Sequence, residues 1–267
     1  MKKIILVLTV SMAALFVNAQ SSSKEQKKQE KKDHINQLIK QEEEGTIIFN
    51  KQGAFGIKLA TDGYGIFYEH GRYKTVTKTF LWWVELSERK NPKEEKSPGA
   101  PIGGFSIGNP FVYGKINNFY YLNLGLGGQR LIGGKGNKNG IAVSAIYGGG
   151  FSAGLLKPYY ITVGDSSSNN AIDIRYTDQT AHQFVDGTNI LGAAGFTKGF
   201  SQIKFVPGVH ARLALRFDYG RFNELLSAVE TGVTAAYYTQ DMPQMIGSEP
   251  QKFFFNAYVA VAFGKRK

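Results

Sequence analysis

Residues 253–263 read Phe253, Phe254, Phe255, Asn256, Ala257, Tyr258, Val259, Ala260, Val261, Ala262 and Phe263, and Gly264, Lys265, Arg266 and Lys267 follow them. Successive side chains of a β-strand point to opposite faces, so Phe253, Phe255, Ala257, Val259, Val261 and Phe263 share one side. Asn256, Tyr258, Ala260 and Ala262 share the other. The first face is apolar throughout and the second is small and more polar. The stretch has the length of a tilted strand crossing a hydrocarbon layer, about 9–11 residues. Aromatics stand at both of its ends, where the two interfaces would lie.

The same period runs back through most of the chain. Phe55, Ile57 and Leu59 oppose Gly56 and Lys58, and Tyr64, Ile66 and Tyr68 oppose Gly65, Phe67 and Glu69. Phe80, Trp82, Val84 and Leu86 oppose Thr79, Trp83 and Glu85, and Leu122, Leu124 and Leu126 oppose Tyr121, Asn123, Gly125 and Gly127. Ile141, Val143, Ala145 and Tyr147 form a further face, after which Gly148, Gly149 and Gly150 suggest a bulge or bend. Tyr159, Ile161 and Val163, with Ile172 to Tyr176 across the polar turn 165–170, read as another hairpin. Val209 to Phe217 oppose His210, Arg212, Arg216 and Asp218, and Val229, Val233 and Tyr237 oppose Glu230 and Thr234. The pattern predicts about ten strands, within a range of eight to twelve. All but the seventh are near membrane-crossing length. Residues 89–118, with Pro92, Pro98, Pro101 and Pro110, and residues 178–205 read as long loops, the second carrying a short helix.

Charge decides what the two faces look at. Lys58, Glu69, Glu85, His210, Arg212, Arg216, Asp218 and Glu230 all fall on the side opposite the apolar stripe. Trp82, Leu122, Leu124, Leu213, Phe253, Phe255 and Phe263 fall on the stripe itself. A lysine or arginine facing lipid at midplane costs about 2–4 kcal/mol, so a stripe free of charge suits an acyl surround. A soluble β-sandwich or lipocalin-like barrel would have to bury charges of both signs or expose stripes of Phe, Trp, Leu and Val to water, which soluble monomers rarely do. In lipid, strands can span only when the sheet closes on itself. From Ile47 to Phe263 the chain thus resembles the small porin-like outer-membrane β-barrels of Gram-negative bacteria, which likewise place a closing strand next to the chain end. The resemblance implies an all-β fold, a single antiparallel up-and-down transmembrane barrel, preceded by a charged helical or disordered arm. In this reading the listed charges form a lumenal network and the stripe residues face lipid.

Lys2 and Lys3, an apolar run from Ile4 to Val17 and the small-residue site ending at Ala19 have the form of a secretory leader, too short to span as a helix. The expected organisation is a signal peptide over 1–19, a charged periplasmic arm over 20–45, the barrel over 46–264 and a basic tail over 265–267. There is no cysteine, so disulfides, thiolate metal sites and a lipidated cysteine anchor are excluded. The formal charge of +11 becomes +9 when Lys2 and Lys3 leave with the leader. On an exported chain that excess points to outer-membrane lipids and lipopolysaccharide as partners, together with the barrel-insertion machinery and other outer-membrane subunits, and not to nucleic acid. If arm and tail both lie in the periplasm, the three longest connections, 89–118, 178–205 and 239–251, share the outer side.

Catalytic chemistry has little to stand on. Gly133 to Gly140 is glycine-rich and carries lysines, yet lacks the Lys-Ser/Thr pair of a phosphate loop. His182 with Asp178 and Asp186 has no diagnostic metal spacing. His210 could take Asp218 or Glu69 as an orienting acid, but no serine stands at a nucleophile's spacing. The sequence therefore predicts no catalytic residue, no metal and no cofactor. It predicts a non-enzymatic barrel serving as a structural or accessory subunit or as a narrow porin-like channel. The alternatives are a lipid A or phospholipid-modifying enzyme using a lumenal or rim histidine, and a soluble periplasmic lipocalin-like binding barrel.

Overall fold

The alternation is realised as eight long strands, each bonded to the next in the chain, with the last closing on the first. They are β1 (Lys51–Ala60), β2 (Gly63–Tyr73), β3 (Lys78–Arg89), β4 (Asn117–Gly133), β5 (Ala142–Pro158), β6 (Lys204–Asp218), β7 (Leu225–Met242) and β8 (Gln251–Arg266). The structure, a computed structural model, describes residues 29–30 and 49–267 except 100, 103–104, 107, 136–139, 165–169, 188 and 221–224. The expected leader and, apart from residues 29–30, the expected arm lie outside the described residues. Every wall pairing is antiparallel, and the seam joins Phe55 to Phe263 and Leu59 to Val259. Closure leaves no unpaired edge, the condition for strands in lipid. Lys265 and Arg266 belong to β8, and Asn50 and Lys51 donate to the Lys267 carbonyl, so the basic tail is tied into the seam.

One side chain accounts for a group of the glycines. Trp83 points into the lumen, 1 % exposed, and its indole lies over β4 and β5. A Cβ on Gly125 would come within 2.1 Å of the ring and one on Gly148 within 2.8 Å. The expected bulge at Gly148 to Gly150 is absent: these residues pair in regular register with Gly127, Leu126 and Gly125. They are glycine because opposing backbones and the indole leave no room.

The two strands read at 159–163 and 172–176 are not in the wall. Tyr160–Gly164 and Ala171–Arg175 pair with each other, and Ile190–Ala193 joins the first of them, making a separate three-stranded sheet. Ile161 and Val163 pack with Phe111, Phe184 and Ile190 in a small core of their own. A buried face turned to a local core alternates as a lipid-facing one does, which is why the sequence count of about ten exceeds the eight strands of the wall by one hairpin. Antiparallel pairing then puts both described ends of the barrel, residues 50 and 267, at one end with the connections 74–77, 134–141 and 219–224. The described residues of the longest connections, 90–116, 159–203 and 243–250, meet at the other, where they form a cap.

Candidate functional site: the lumen and its cap

The sidedness of the wall is set by the outer face. Phe255 is 62 % exposed, Leu124 46 % and Trp82 38 %, and Leu213, Phe253 and Phe263 are exposed beside them, with Leu122 half-buried. The apolar stripes look outward on every strand. The inside must accordingly hold what the stripe excludes.

Charges inside pair off by sign. Glu230, 0 % exposed, takes Arg212 on one carboxylate oxygen, with Arg212 Nε at 3.1 Å, and Arg216 on the other, with Nη2 at 2.6 Å. Arg216 reaches across the lumen to Glu69, Nη2 to Oε2 2.6 Å, joining β6 to β2. Tyr258 donates to Glu230 and accepts from Arg212 Nε at 2.8 Å. Lys58 pairs with Glu85, which also accepts from Ser87 at 3.0 Å and Tyr121 at 3.2 Å. At the capped end Arg89 meets Asp62 at 2.6 Å, and at the terminal end Arg266 meets Asp218. The cations Lys58, Arg89, Arg212, Arg216 and Arg266 thus face the carboxylates of Asp62, Glu69, Glu85, Asp218 and Glu230, and Lys135 stands 3.9 Å from Asp218 as a second cation there. Buried ions tolerate this only when each is met by opposite charge and hydrogen bonds.

Apolar side chains fill the gaps. Phe119, Tyr121, Leu156, Val206, Tyr238 and Met242 close the lumen toward the cap, and Phe67, Leu81, Trp83 and Ile146 close it toward the terminal end. Arg89 is held against the rings of Phe254, Tyr121 and Phe119, with centroids at 4.4, 5.0 and 5.4 Å. Ser152 donates to Asn123 and lies 3.0 Å from the Tyr238 hydroxyl. The cross-section is a packed interior, as an eight-stranded barrel allows.

The lumenal residues selected from the sequence all face inward, but they do not form one network. His210 stands edge-on to Trp83 at 5.9 Å, and no side chain hydrogen-bonds either ring nitrogen. Its two candidate acids are engaged elsewhere: Glu69 binds Arg216 and Asp218 binds Arg266. Arg89, Tyr258 and Arg266 were missed as members, although alternation carries Glu85 on to Ser87 and Arg89, and Tyr258 on to Arg266. Tyr258 already shares the inner face, and carrying β3 and β8 on by two inward positions reaches Arg89 and Arg266. Among the described residues no group of histidines and acids is placed to hold a metal, and His182 with Asp178 and Asp186 makes none.

The cap is ordered by its own contacts. Helix α1 (Ala181–Asp186) ends at Gly187 with φ of 66°, a left-handed position that suits glycine. Phe184 is buried, and its carbonyl accepts from Gly114 N at 3.0 Å, which ties the two long connections together. Lys115 and Glu94 form a buried pair at 2.6 Å, and Lys93 Nζ donates to the Gly247 carbonyl at 3.1 Å. Burial pushes the Tyr159 phenol up, and its oxygen accepts from Val112 N at 3.1 Å. A groove of about 670 Å³ runs along the cap rim between Glu88, Lys90, Lys96, Tyr120, Tyr160 and Lys198. Within it Lys157 lies over the rings of Phe196 and Phe200, at 4.2 and 4.4 Å.

No family model matches the chain, and no curated protein does. Among solved structures it is similar to Neisserial surface protein A, 7 % identical over 81 % of this chain and 96 % of that one, with a TM-score of 0.36. It is similar at 7 % identity to the N-terminal β-barrel domain of Pseudomonas aeruginosa OprF, over 81 % and 98 %, TM-score 0.35. The attachment invasion locus protein Ail of Yersinia pestis matches at 7 % identity over 81 % and 96 %, TM-score 0.34.

Proposed function

We propose that the protein is a non-enzymatic integral outer-membrane β-barrel that works as a sealed anchor, an accessory subunit whose cap makes the functional contacts. The observation that carries this reading is the combination of an outward apolar wall with a lumen in which the buried cations among the described residues face carboxylates. Such a wall leaves a water-soluble monomer with far more contiguous apolar surface than soluble proteins expose. Paired charges bridging β2, β6, β7 and β8 leave no lined path for an ion. The soluble lipocalin-like alternative needs an apolar interior, and the arrangement of Phe255, Leu124 and Trp82 argues against it. An enzyme built on His210 would need an orienting acid, and both candidates already hold arginines.

In this reading the leader 1–19 is removed, both termini lie in the periplasm, and the cap faces outward with its groove of lysines and tyrosines. The barrel-insertion machinery is an expected partner, and the outer faces of the wall meet lipid and lipopolysaccharide. Purified mature protein in a planar bilayer is the test. A sealed anchor gives no stepwise conductance in the wild type, and gives it after Glu69→Ala and Arg216→Ala are combined. Stepwise conductance of the wild type overturns the sealed reading and returns the channel. A purified chain that is monomeric in water without detergent overturns the membrane placement itself.

A further inference from the structure

The terminal end of the barrel is not uniform around its circumference. On four adjacent strands, β8, β1, β2 and β3, the last outward position before the turns is a cation, Lys265, Lys51, Arg72 and Lys78; on β4 Arg130 stands one outward position short of the apolar Ile132, and all five cations are exposed. On β5, β6 and β7 the corresponding rim is apolar, with Ile141, Tyr219 and Leu225 exposed. Among the described residues no ion pair involves any of those five cations or Lys267. Register places Lys51 opposite Arg72 and Gly53 opposite Lys265, so like charges crowd the seam instead of alternating with acids.

A groove of about 410 Å³ opens in the wall at this crowded point. Its floor is Gly53, which lacks the side chain that the outward row of β1 carries elsewhere. A Cβ there would stand 3.5 Å from the Tyr68 hydroxyl and 4.0 Å from His70 Nδ1. Phe55 and Tyr68 wall the groove on the side of the apolar band, and Lys51, Lys265 and Lys267 stand at its terminal side. An apolar slot that continues into a lipid-facing surface and ends in three lysines with no ion pair among the described residues has the chemistry of one ligand class. Acyl chains fit the slot, and a negative headgroup meets the lysines.

We infer that this groove is a binding site for an anionic glycerophospholipid, held with its acyl chain along Phe55 and its phosphate among Lys51, Lys265 and Lys267. The inference rests on the membrane placement above and adds to it a fixed lipid position at the seam that closes the barrel. A cation beside an anionic lipid surface is worth roughly a fivefold change in binding. Three converging on one phosphate therefore separate this site from the diffuse attraction of the rest of the girdle.

The test uses the full mature chain, refolded into neutral phosphatidylcholine vesicles and then extracted in mild detergent. Phosphatidylglycerol or phosphatidylcholine is added, and retained lipid is counted by native mass spectrometry. The expected result is one phosphatidylglycerol held about tenfold or more in preference to phosphatidylcholine. Combined Lys51→Gln, Lys265→Gln and Lys267→Gln removes the preference. Gly53→Leu, which fills the slot and keeps every charge, lowers retention as well. Combined Lys78→Gln and Arg130→Gln, remote from the groove on the same girdle, leaves it intact. Equal retention of the two lipids overturns the site, as does preference surviving the triple change, and so does an equal loss from the remote pair, which would mean diffuse electrostatics. Failure of the wild type to enter vesicles overturns the membrane placement instead, so the two readings fail by different results.

Discussion

The wall and the cap obey opposite burial rules within one chain, and the change occurs at Pro158. Up to that residue β5 turns Tyr147 and Phe151 outward and keeps Ser144 and Ser152 buried. Three residues past Pro158, Ile161 is buried completely and packs on Phe184. Burial of apolar groups is driven by water, so where the surround is acyl chains the drive vanishes and the interior can be ionic. Where the chain leaves the wall the ordinary rule returns, and it is enough to give the cap a core of its own. The barrel interior coheres by cross-barrel ion pairs set between apolar clusters, and the three-stranded part of the cap by apolar packing of its own.

The largest effect should come from the lumen. Glu230→Gln strips the shared carboxylate from Arg212 and Arg216 and should cost about 3–5 kcal/mol, because two buried cations lose their partner. Denaturant unfolding in detergent micelles, followed by tryptophan emission, reads this directly; a loss under 1 kcal/mol would remove the lattice from the account of stability. Phe184→Ala tests the other side of the comparison. It should cost a similar 3–5 kcal/mol, but within the cap, so that hydrogen exchange rises over 159–203 while the barrel's unfolding midpoint holds. A barrel that melts together with the cap would show that the two regions are one cooperative unit. Leu213→Arg on the outer wall should cost about 2–4 kcal/mol in a bilayer and much less in water-rich surroundings. Unfolding in lipid vesicles against urea provides the measurement, and an unchanged midpoint would deny the acyl surround.

Gly125→Ala sharpens the lumen side. The added methyl would meet Trp83 at 2.1 Å from Cε2, and overpacking of this kind costs about 1–3 kcal/mol. Adding Trp83→Leu should recover part of it, and a double variant no better than the single would assign the cost to backbone crowding. The smallest effect is one of pH. Thr162 at 2.7 Å and Lys198 at 3.0 Å hold the Asp173 carboxyl below its usual value. A depressed carboxylate stabilises above its unfolded pKa and loses that contribution as pH falls through the folded one. Protection factors in the cap, exchange rates corrected for the intrinsic effect of pH, should therefore fall in acid, below about pH 4, and Asp173→Asn should remove the dependence without touching the wall.

Much of the wall was legible in residues alone because a period of two is a local property. Phe253 to Phe263, Val209 to Phe217 and Phe80 to Leu86 announce their faces without a neighbour, and the charges opposite them follow by parity. Lys58, Glu69, Glu85, Arg212, Arg216 and Glu230 are inside for that reason. Their partners were not legible: that Arg216 of β6 reaches Glu69 of β2 depends on barrel diameter and stagger. His210 looked the most chemical of the set, yet it packs against Trp83 with both its expected acids taken. Gly148 to Gly150 of β5 suggest a bend in the sequence, yet they pair in regular register, crowded by opposing backbone and, at Gly148, by the Trp83 indole.

What the sequence by itself determined is which residues share a face, since alternation and the exclusion of charge from one face need only the covalent chain. Only the tertiary structure decided what each face meets. The pattern of Tyr159 to Val163 is the same whether its apolar side looks at lipid or at Phe184, and closure at eight strands, by pairing β8 with β1, is what sends that hairpin out of the wall and into the cap.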